Sequence, residues 1–438
     1  MTQPQPDLPL IDTDVLVIGG GPAGSCAATV LAQKGWRVVM LEKDRHPRFH
    51  IGESLLPMNM PILERIGALE KARAVGLLKL GADFPAIDGT FNVFDFGKTL
   101  NPGTPDFAFQ VKREEFDQML FEHAREQGVD ARDGIRVERV EFDADDAITV
   151  HAAGQRWRPR YLLDASGRDT FLGNKLKLKR KNPRHASAAV FSHFQGVARR
   201  EGRHAGNVSI YRHEHGWAWM IPLRDGSMSV GAVCWPEYLK TRRGDTESFL
   251  MQTLASVPEI AQRMQGAKRI APVHVTGNYA YECTRMHGRH WSMLGDAYAF
   301  VDPMFSSGVY LAMHSAEQGA LMVDKILQNP AHEAKLQRKF QRDFEAGLDE
   351  FKWFIYRFTS PVMRALFSAP RDFMGVERAI VSMLAGDVFN APQVIRKLRI
   401  FRIIYALNAI EQAPAAWRAW RKRRRQVKVE MREETLQG

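Results

Sequence analysis

Val15-Leu16-Val17-Ile18-Gly19-Gly20-Gly21-Pro22-Ala23-Gly24 is an apolar run that breaks into a glycine turn and continues into a stretch of helical character ending near Gly35. A second apolar run, Arg37-Val38-Val39-Met40-Leu41, closes on Glu42, 23 positions after Gly19. Strand, glycine turn, helix, strand and acid in this order predict a dinucleotide-binding βαβ unit. Gly19 permits the tight turn, Gly21 lets backbone approach a pyrophosphate, and Gly24 lets the helix pack against the strand, with Ala23 in the same first helical turn. A side chain at Gly21 would stand between backbone and pyrophosphate, and would be penalised again if the turn needs a positive φ there. The pyrophosphate meets the helix N-terminus, where free N–H groups and the dipole favour negative charge. Glu42, followed by Lys43, is placed to accept hydrogen bonds from a ribose hydroxyl, and its carboxylate disfavours a cofactor phosphorylated there. FAD or NAD suits this end better than NADP.

Length and composition bound what surrounds that unit. At 438 residues with 45% apolar and 25% charged content, the chain is long enough for two globular domains, or for one large domain with a subdomain. Cys26, Cys234 and Cys283 lie far apart, without metal-ligand spacing, so neither a disulfide framework nor a metal site is expected. No Lys or Arg precedes the first strand, as a signal peptide would require, and no apolar stretch reaches spanning length. A cytoplasmic protein is expected. The net charge of +11 is concentrated toward the end, where residues 413–438 hold eight Lys/Arg against three Glu. Such a tail reads as a solvated helical end, or as one drawn to acidic membrane lipid or to an acidic carrier protein. The enzyme-like cofactor site argues against nucleic acid as a partner.

Further along, Arg48-Phe49-His50-Ile51-Gly52-Glu53-Ser54 forms a loop close enough to a nucleotide to approach its rings with Gly52, Glu53 and Ser54. Lys79 stands among apolar residues in Leu77-Leu78-Lys79-Leu80-Gly81-Ala82, a composition that by itself suggests a surface lysine with a snorkelling stem. Arg113 marks a strand-to-helix junction, where it either reaches a cofactor phosphate or ribose or forms a helix-capping ion pair. Residues 187–280 carry β-branched and aromatic runs at 189–194, 208–211, 217–222 and 228–233, which predict an antiparallel sheet without a second glycine fingerprint. A strand and Gly295-Asp296-Ala297 then return to the first domain, and a helix follows from about Ser307 to Leu327. The last hundred residues are helical in pattern, with Phe340, Phe344, Phe351 and Phe354 at core spacing. The expected architecture is α/β: a Rossmann-like FAD-binding domain from residues 10–186 and 281–330, an inserted antiparallel β-sheet substrate domain at 187–280, and a helical region with a basic tail at 331–438.

Four separated motifs converge: Gly19 to Gly24 with Glu42, Asp164-Ala165-Ser166-Gly167, Gly295-Asp296-Ala297, and Gly216-Trp217-Ala218-Trp219-Met220-Ile221-Pro222. The chain resembles the flavin-dependent halogenases. The first three motifs are shared with FAD monooxygenases and isoprenoid reductases, whereas the tryptophan pair before Ile-Pro is the halogenase signature. The resemblance implies bound FAD, with Asp296, Pro303, Gly308 and Val309 near the flavin, a halide held at Ser307 and Gly308, and reduced flavin delivered by a separate reductase. It makes Lys79, in its Lys-x-Gly-Ala-x-Phe context, the residue that receives hypohalous acid made from flavin, O₂ and chloride or bromide. Trp217 and Trp219 keep the organic substrate from the flavin. Where tryptophan-specific members place a glutamate before the halide site, this chain has Phe305. The substrate implied is therefore a phenolic or pyrrolic ring, free or tethered to an acyl carrier protein, and Glu53 is the alternative carboxylate for Lys79. A non-halogenating FAD monooxygenase or polyene-type reductase would keep the FAD motifs but need neither Lys79 nor the tryptophan pair. A flavin-bound assembly partner without turnover has only the basic tail in its favour.

Overall fold

The computed structural model describes residues 9–85, 90–143, 147–368, 370, 372–389, 391–411, 417, 418, 420 and 421, apart from the side chains of residues 183–185, 278 and 279. Nearly all of the basic tail, and with it the expected contact with lipid or an acidic partner, lies outside the described residues.

Strand β1 (Leu10–Ile18) is buried from Thr13 onward, as a central strand covered on both faces must be. It pairs in parallel with β2 (Val38–Leu41) on one side and β10 (Gln155–Asp164) on the other. The same sheet continues in parallel through β7 (Asp130–Arg132) beyond β2 and β18 (Trp291–Met293) beyond β10, and ends on the short antiparallel β17 (His287–Gly288). An antiparallel hairpin of β8 (Val137–Phe142) and β9 (Ile148–Ala152) is attached to β10. Helix α1 (Pro22–Gln33) packs against the long helix Ser307–Gln328. Its close fit to β1 depends on Gly24, where an added Cβ would lie 1.8 Å from the carbonyl oxygen of Gly19.

The second sheet is antiparallel at every pairing but one. Its order is β19 (Ala299–Phe300), β16 (His274–Cys283), β11 (Lys179–Gln195), β14 (Met228–Cys234), β13 (Gly216–Pro222), β12 (Val208–His213), β4 (Gly81–Pro85) and β5 (Phe91–Asp95), with β15 (Lys268–Arg269) beside β11. The parallel pairing joins β12 to β4. Thus the sheet expected from residues 187–280 also takes strands from residues 81–95 and from Ala299–Phe300. Small residues allow this approach: a Cβ on Gly206 would sit 1.7 Å from the Leu78 carbonyl oxygen. A two-stranded ribbon, β3 (Gly76–Lys79) with β6 (Ala108–Val111), adjoins the junction.

The period of two along β13 sorts its side chains between two cores. Trp217, Trp219 and Ile221 face the large core shared with the first sheet, while Ala218 and Met220 face a smaller one under the helix Thr246–Ala255. Phe340, Phe344, Phe351 and Phe354 of the helix Glu333–Ile355 are buried as core residues, and shorter helices follow to Glu411. Among the described residues no helix is long and apolar enough to cross a membrane.

Gly24→Ala drives a methyl group into backbone rather than into a yielding side chain. It is expected to lower stability by about 2–3 kcal/mol, read from urea unfolding, because overpacking of this kind has no cheap relaxation.

Candidate functional site

Within the glycine turn, the left-handed conformation belongs to Gly19, at φ +100°; Gly21 has φ −79° and needs no such freedom. What sets Gly21 apart is space, since an added Cβ would have only Arg48 Nη2 near it, at 3.4 Å, and would project into the cavity. Glu42, buried at the end of β2, accepts the Gly20 N–H on Oε2 at 2.7 Å and the Asp44 N–H on Oε1 at 3.0 Å. It braces the turn; Oε2 also takes Arg48 Nη2 at 3.4 Å, and Oε1 keeps a second lone pair for a ribose hydroxyl.

The loop from Arg48 to Ser54 is fastened by one buried carboxylate. Asp117 accepts Arg113 Nε on Oδ1 at 2.7 Å and Arg113 Nη2 on Oδ2 at 3.0 Å, and takes Arg48 Nη1 at 3.2 Å. Burial pushes the Asp117 carboxyl up, but the Arg113 and Arg48 guanidiniums beside it hold it on balance below the usual carboxylate range. Arg113 uses its remaining nitrogen, Nη1, to grip the Ile51 carbonyl at 2.7 Å, and it lines the cavity as well. Arg113 therefore makes the helix ion pair and, with the same side chain, lines the cavity.

Across the cavity, Asp164 accepts the N–H groups of Ser166 and Leu172 at 3.0 and 2.7 Å, which turns the 165–169 segment toward the opening. Asp296 is half-buried on the cavity wall, and burial raises its carboxyl to about 6 against the pull of Arg168 and Arg113. The helix Ser307–Gln328 starts after Ser306 in the left-handed region and presents Gly308 and Val309 to the cavity, beside Pro303. Ser307 is buried, and its hydroxyl has no hydrogen-bond partner among the described residues. Nothing lies within 4 Å of a Cβ built on Gly308, so the first turn of this helix is open to a ligand. The opposite wall is the second sheet, with Val208 and Ile210 beside Trp217, Trp219 and Ile221. The two indoles lie 5.7 Å apart and tilted at 48°; Trp219 Nε1 donates to Ser229 Oγ at 3.1 Å, while Trp217 Nε1 is unpartnered among the described residues.

Lys79 is only 1% exposed, contrary to what its flanking leucines suggest. Its Nζ donates to Ser54 Oγ at 2.9 Å and to the Leu55 carbonyl at 2.8 Å, and stands 5.2 Å from the centre of the Phe96 ring. Among the described residues it makes no ion pair, and burial pulls its pKa down to about 7. Glu53, the carboxylate next to Ser54, faces elsewhere: Oε1 meets His193 Nε2 at 2.6 Å. Burial works against a charged His193, yet Glu53 holds its pKa above the ordinary value.

One cavity thus collects Gly19, Gly21, Ala23, Glu42, Lys43, Gly52, Glu53, Ser54, Arg113, Trp217, Trp219, Asp296, Pro303, Gly308 and Val309. Gly24, Lys79 and Ser307 are off its wall, the first wedged against Gly19, the second behind Ser54, the third beneath the helix start. Sequence reasoning did not single out Arg48, Arg168 or His193. Arg48 stands six residues after Glu42 and ties Glu42 to Asp117; Arg168 lines the cavity and reaches Thr276 of β16; His193, two residues after Phe191 of the large core on β11, meets the cavity-lining Glu53. The glycine turn, the open first turn of the second helix and the apolar sheet wall between them fit a flavin dinucleotide.

Residues 12–339 match the FAD binding domain family. The chain is 34% identical over 343 residues to the tryptophan 2-halogenase of Chondromyces crocatus, covering 76% of this chain and 65% of that protein. It is 32% identical over 372 residues to the flavin-dependent halogenase gsfI of Penicillium aethiopicum, covering 77% and 69%. The chain belongs to the flavin-dependent halogenase family. A halogenase with which it aligns almost end to end is the 1H-pyrrole-2-carbonyl-[peptidyl-carrier protein] chlorinase of Pseudomonas fluorescens, 28% identical over 89% of this chain and 92% of that one. Against other halogenases, such as the Chondromyces protein, it spans a little under two thirds of their length. A flavoprotein/dehydrogenase structure from Cytophaga hutchinsonii superposes with a TM-score of 0.83 at 28% identity, over 92% of this halogenase-family chain and 100% of that one. FAD is the cofactor of the family's domain.

Two predictions follow from the geometry of this cavity. Gly21→Val places a branched side chain where the pyrophosphate approaches, so FAD affinity is expected to fall by at least tenfold while circular dichroism stays unchanged; equilibrium dialysis with FAD measures it. For Lys79, the folded amine titrates near 7 and the unfolded one near 10.4, so the penalty for burying the ammonium is complete below pH 7 and shrinks as the pH rises. Lys79→Met removes that penalty. It is expected to gain roughly 2–3 kcal/mol more, relative to wild type, at pH 6 than at pH 9, as measured by denaturant unfolding at both values.

Proposed function

We propose that this protein is a flavin-dependent halogenase acting on an electron-rich phenolic or pyrrolic ring. The observation that carries the reading is Lys79, a buried amine without a carboxylate partner among the described residues, placed directly behind the cavity-lining Ser54. Reduced FAD, delivered by a separate flavin reductase, supplies hypohalous acid from O₂ and halide when bound in the cavity. The chain's own residues do the rest.

The first helical turn, open at Gly308 with Ser307 buried beside it, offers backbone N–H groups to a small anion, a suitable resting place for chloride or bromide. Trp217 and Trp219 fill the sheet side of the cavity, too bulky to let an aromatic substrate share the space occupied by the flavin ring. Ser54 Oγ and the Leu55 carbonyl fix the nitrogen of Lys79. Near neutral pH this amine exchanges readily between its charged and neutral forms. As an ammonium it donates a hydrogen bond to hypohalous acid; as an amine it exchanges an N–H proton for halogen and releases water. Either form presents electrophilic halogen, and the attacked ring carbon then gives up its proton.

Phe305, buried before the helix start, stands where tryptophan-specific relatives carry a glutamate. This favours phenolic or pyrrolic rings over free tryptophan, although the Chondromyces relative is named for tryptophan. A second reading, a non-halogenating FAD oxidoreductase, draws support from the dehydrogenase name of the Cytophaga structure.

Lys79→Ala separates the two. With reductase, bromide and an activated phenol, the variant is expected to lose at least a hundredfold in brominated product by mass spectrometry while reoxidising reduced flavin at a rate close to wild type. Bromination by Lys79→Ala at the wild-type rate removes the halogenase mechanism. Rapid substrate-coupled NADPH oxidation by the isolated wild-type chain establishes the second reading instead.

A further inference from the structure

Arg212 is a half-buried cation with no ion pair among the described residues. Along β12, Val208 and Ile210 line the cavity, while Ser209 and Tyr211 face the other way and are both hydrogen-bonded by Arg263. The alternation of a strand therefore puts Arg212 on the same face as Val208 and Ile210, about 6.6 Å beyond Ile210 and past the edge of the cavity wall. Register pairs it with Trp217 on β13, so the guanidinium and the outer indole share one face. Arg212 Nε and Nη2 are buried without a hydrogen-bond partner among the described residues, and so is Trp217 Nε1. The guanidinium lies 4.3 Å from the centre of the Phe358 ring, and Phe358 in turn packs edge-on against Phe305, two residues before the helix start at Ser307. Burial, with Arg364 nearby, lowers the pKa of Arg212 to about 10, which leaves it charged at neutral pH.

The unpartnered atoms are a matched pair. Nε and Nη2 present two parallel N–H groups on one edge of the guanidinium, the edge that receives a carboxylate side-on. Elsewhere in this protein the same edge does so: Arg113 with Asp117, Arg65 with Glu317 and Arg269 with Glu247 each use Nε and Nη2 on the two oxygens of one carboxylate. Arg200, whose Nε and Nη2 also lack well-aligned hydrogen bonds, still has Asp83 at 3.3 Å. Arg212 has the edge, oriented inward, and no carboxylate among the described residues. Stacking on Phe358 satisfies the face of the guanidinium but not its N–H groups.

We propose that Arg212, together with Trp217 Nε1, is a carboxylate-binding subsite, and that the ring substrate is a free aromatic acid. The inference rests on the halogenase reading only for what happens to the ring; the subsite itself is defined by unpaired donors. It separates a free acid from a carrier-tethered acyl group, in which the carboxylate has become a thioester carbonyl with no charge to offer Arg212.

The test is equilibrium binding, without reductase or turnover. FAD-loaded protein at fixed chloride is titrated calorimetrically with 3-hydroxybenzoate, 4-hydroxybenzoate and pyrrole-2-carboxylate, and with the methyl ester of each. At least one acid is expected to bind tenfold or more tightly than its ester. Arg212→Met should abolish that preference, and Arg212→Lys, which keeps the charge but loses the fork, should retain part of it. Equal binding of every acid and its ester, failure of every acid to bind, or an undiminished preference in Arg212→Met overturns the proposal and leaves Arg212 as a stacking residue. Should Arg212→Met fail to fold, the wild-type comparison of acid with ester and the Arg212→Lys titration decide it. An acid preference that survives in a protein forming no halogenated product would sink the halogenase reading and leave the subsite standing.

Discussion

The Asp117 carboxylate, buried with two guanidiniums around it, is the interaction on which the rest of the site depends. It sits on the helix Arg113–Glu126, and through Arg48 it is linked to Glu42, which accepts the N–H of Gly20 in the nucleotide turn. Through Arg113 it is linked to the Ile51 carbonyl, and so to the loop carrying Gly52, Glu53 and Ser54. Ser54 and Leu55 then hold Lys79. One anion thereby sets the relative positions of the dinucleotide turn, the flavin-side loop and the buried amine. Removal of the Asp117 carboxylate would leave two guanidiniums without their shared anion, a much larger disturbance than loss of a surface ion pair.

The second sheet meets this assembly through matching contacts. Glu53 reaches His193 on β11, and Gly206 lets the start of β12 pass against Leu78, beside Lys79. The 48–54 loop, the lysine and the tryptophan wall are consequently fixed to one another by short contacts between segments far apart in the chain. That suits chemistry in which a small reactive species must travel a defined path, since positioning to within about half an ångström requires a packed supporting shell.

How much of this the sequence discloses depends on how local each cause is. The Gly19 to Gly24 turn and Glu42 are legible because strand, turn and helix are adjacent, and the long helix from Ser307 is legible from its own period. The positive φ is on Gly19 and not on Gly21, a detail of turn geometry that spacing does not encode. Lys79 was misjudged by composition because the groups that take its N–H donors, Ser54 and Leu55, come from another segment. The parallel pairing of β12 with β4 joins segments more than a hundred residues apart, and no local pattern announces it. Arg212 follows Tyr211 in a hairpin strand, where a charged residue ordinarily points to water; the alternation along β12 and the register with Trp217 show which way it faces.

The lone amine of Lys79 has a further consequence. A lysine paired with a buried carboxylate cannot give up its charge without stranding an anion in a medium that solvates it poorly, and the pair resists any modification of the nitrogen. Here the nitrogen is held by a hydroxyl and a carbonyl, both neutral. The hydroxyl can turn to donate as readily as it accepts. Its surroundings therefore tolerate the nitrogen as a cation, as an amine or as a substituted amine, with no counter-charge to rearrange between one form and the next.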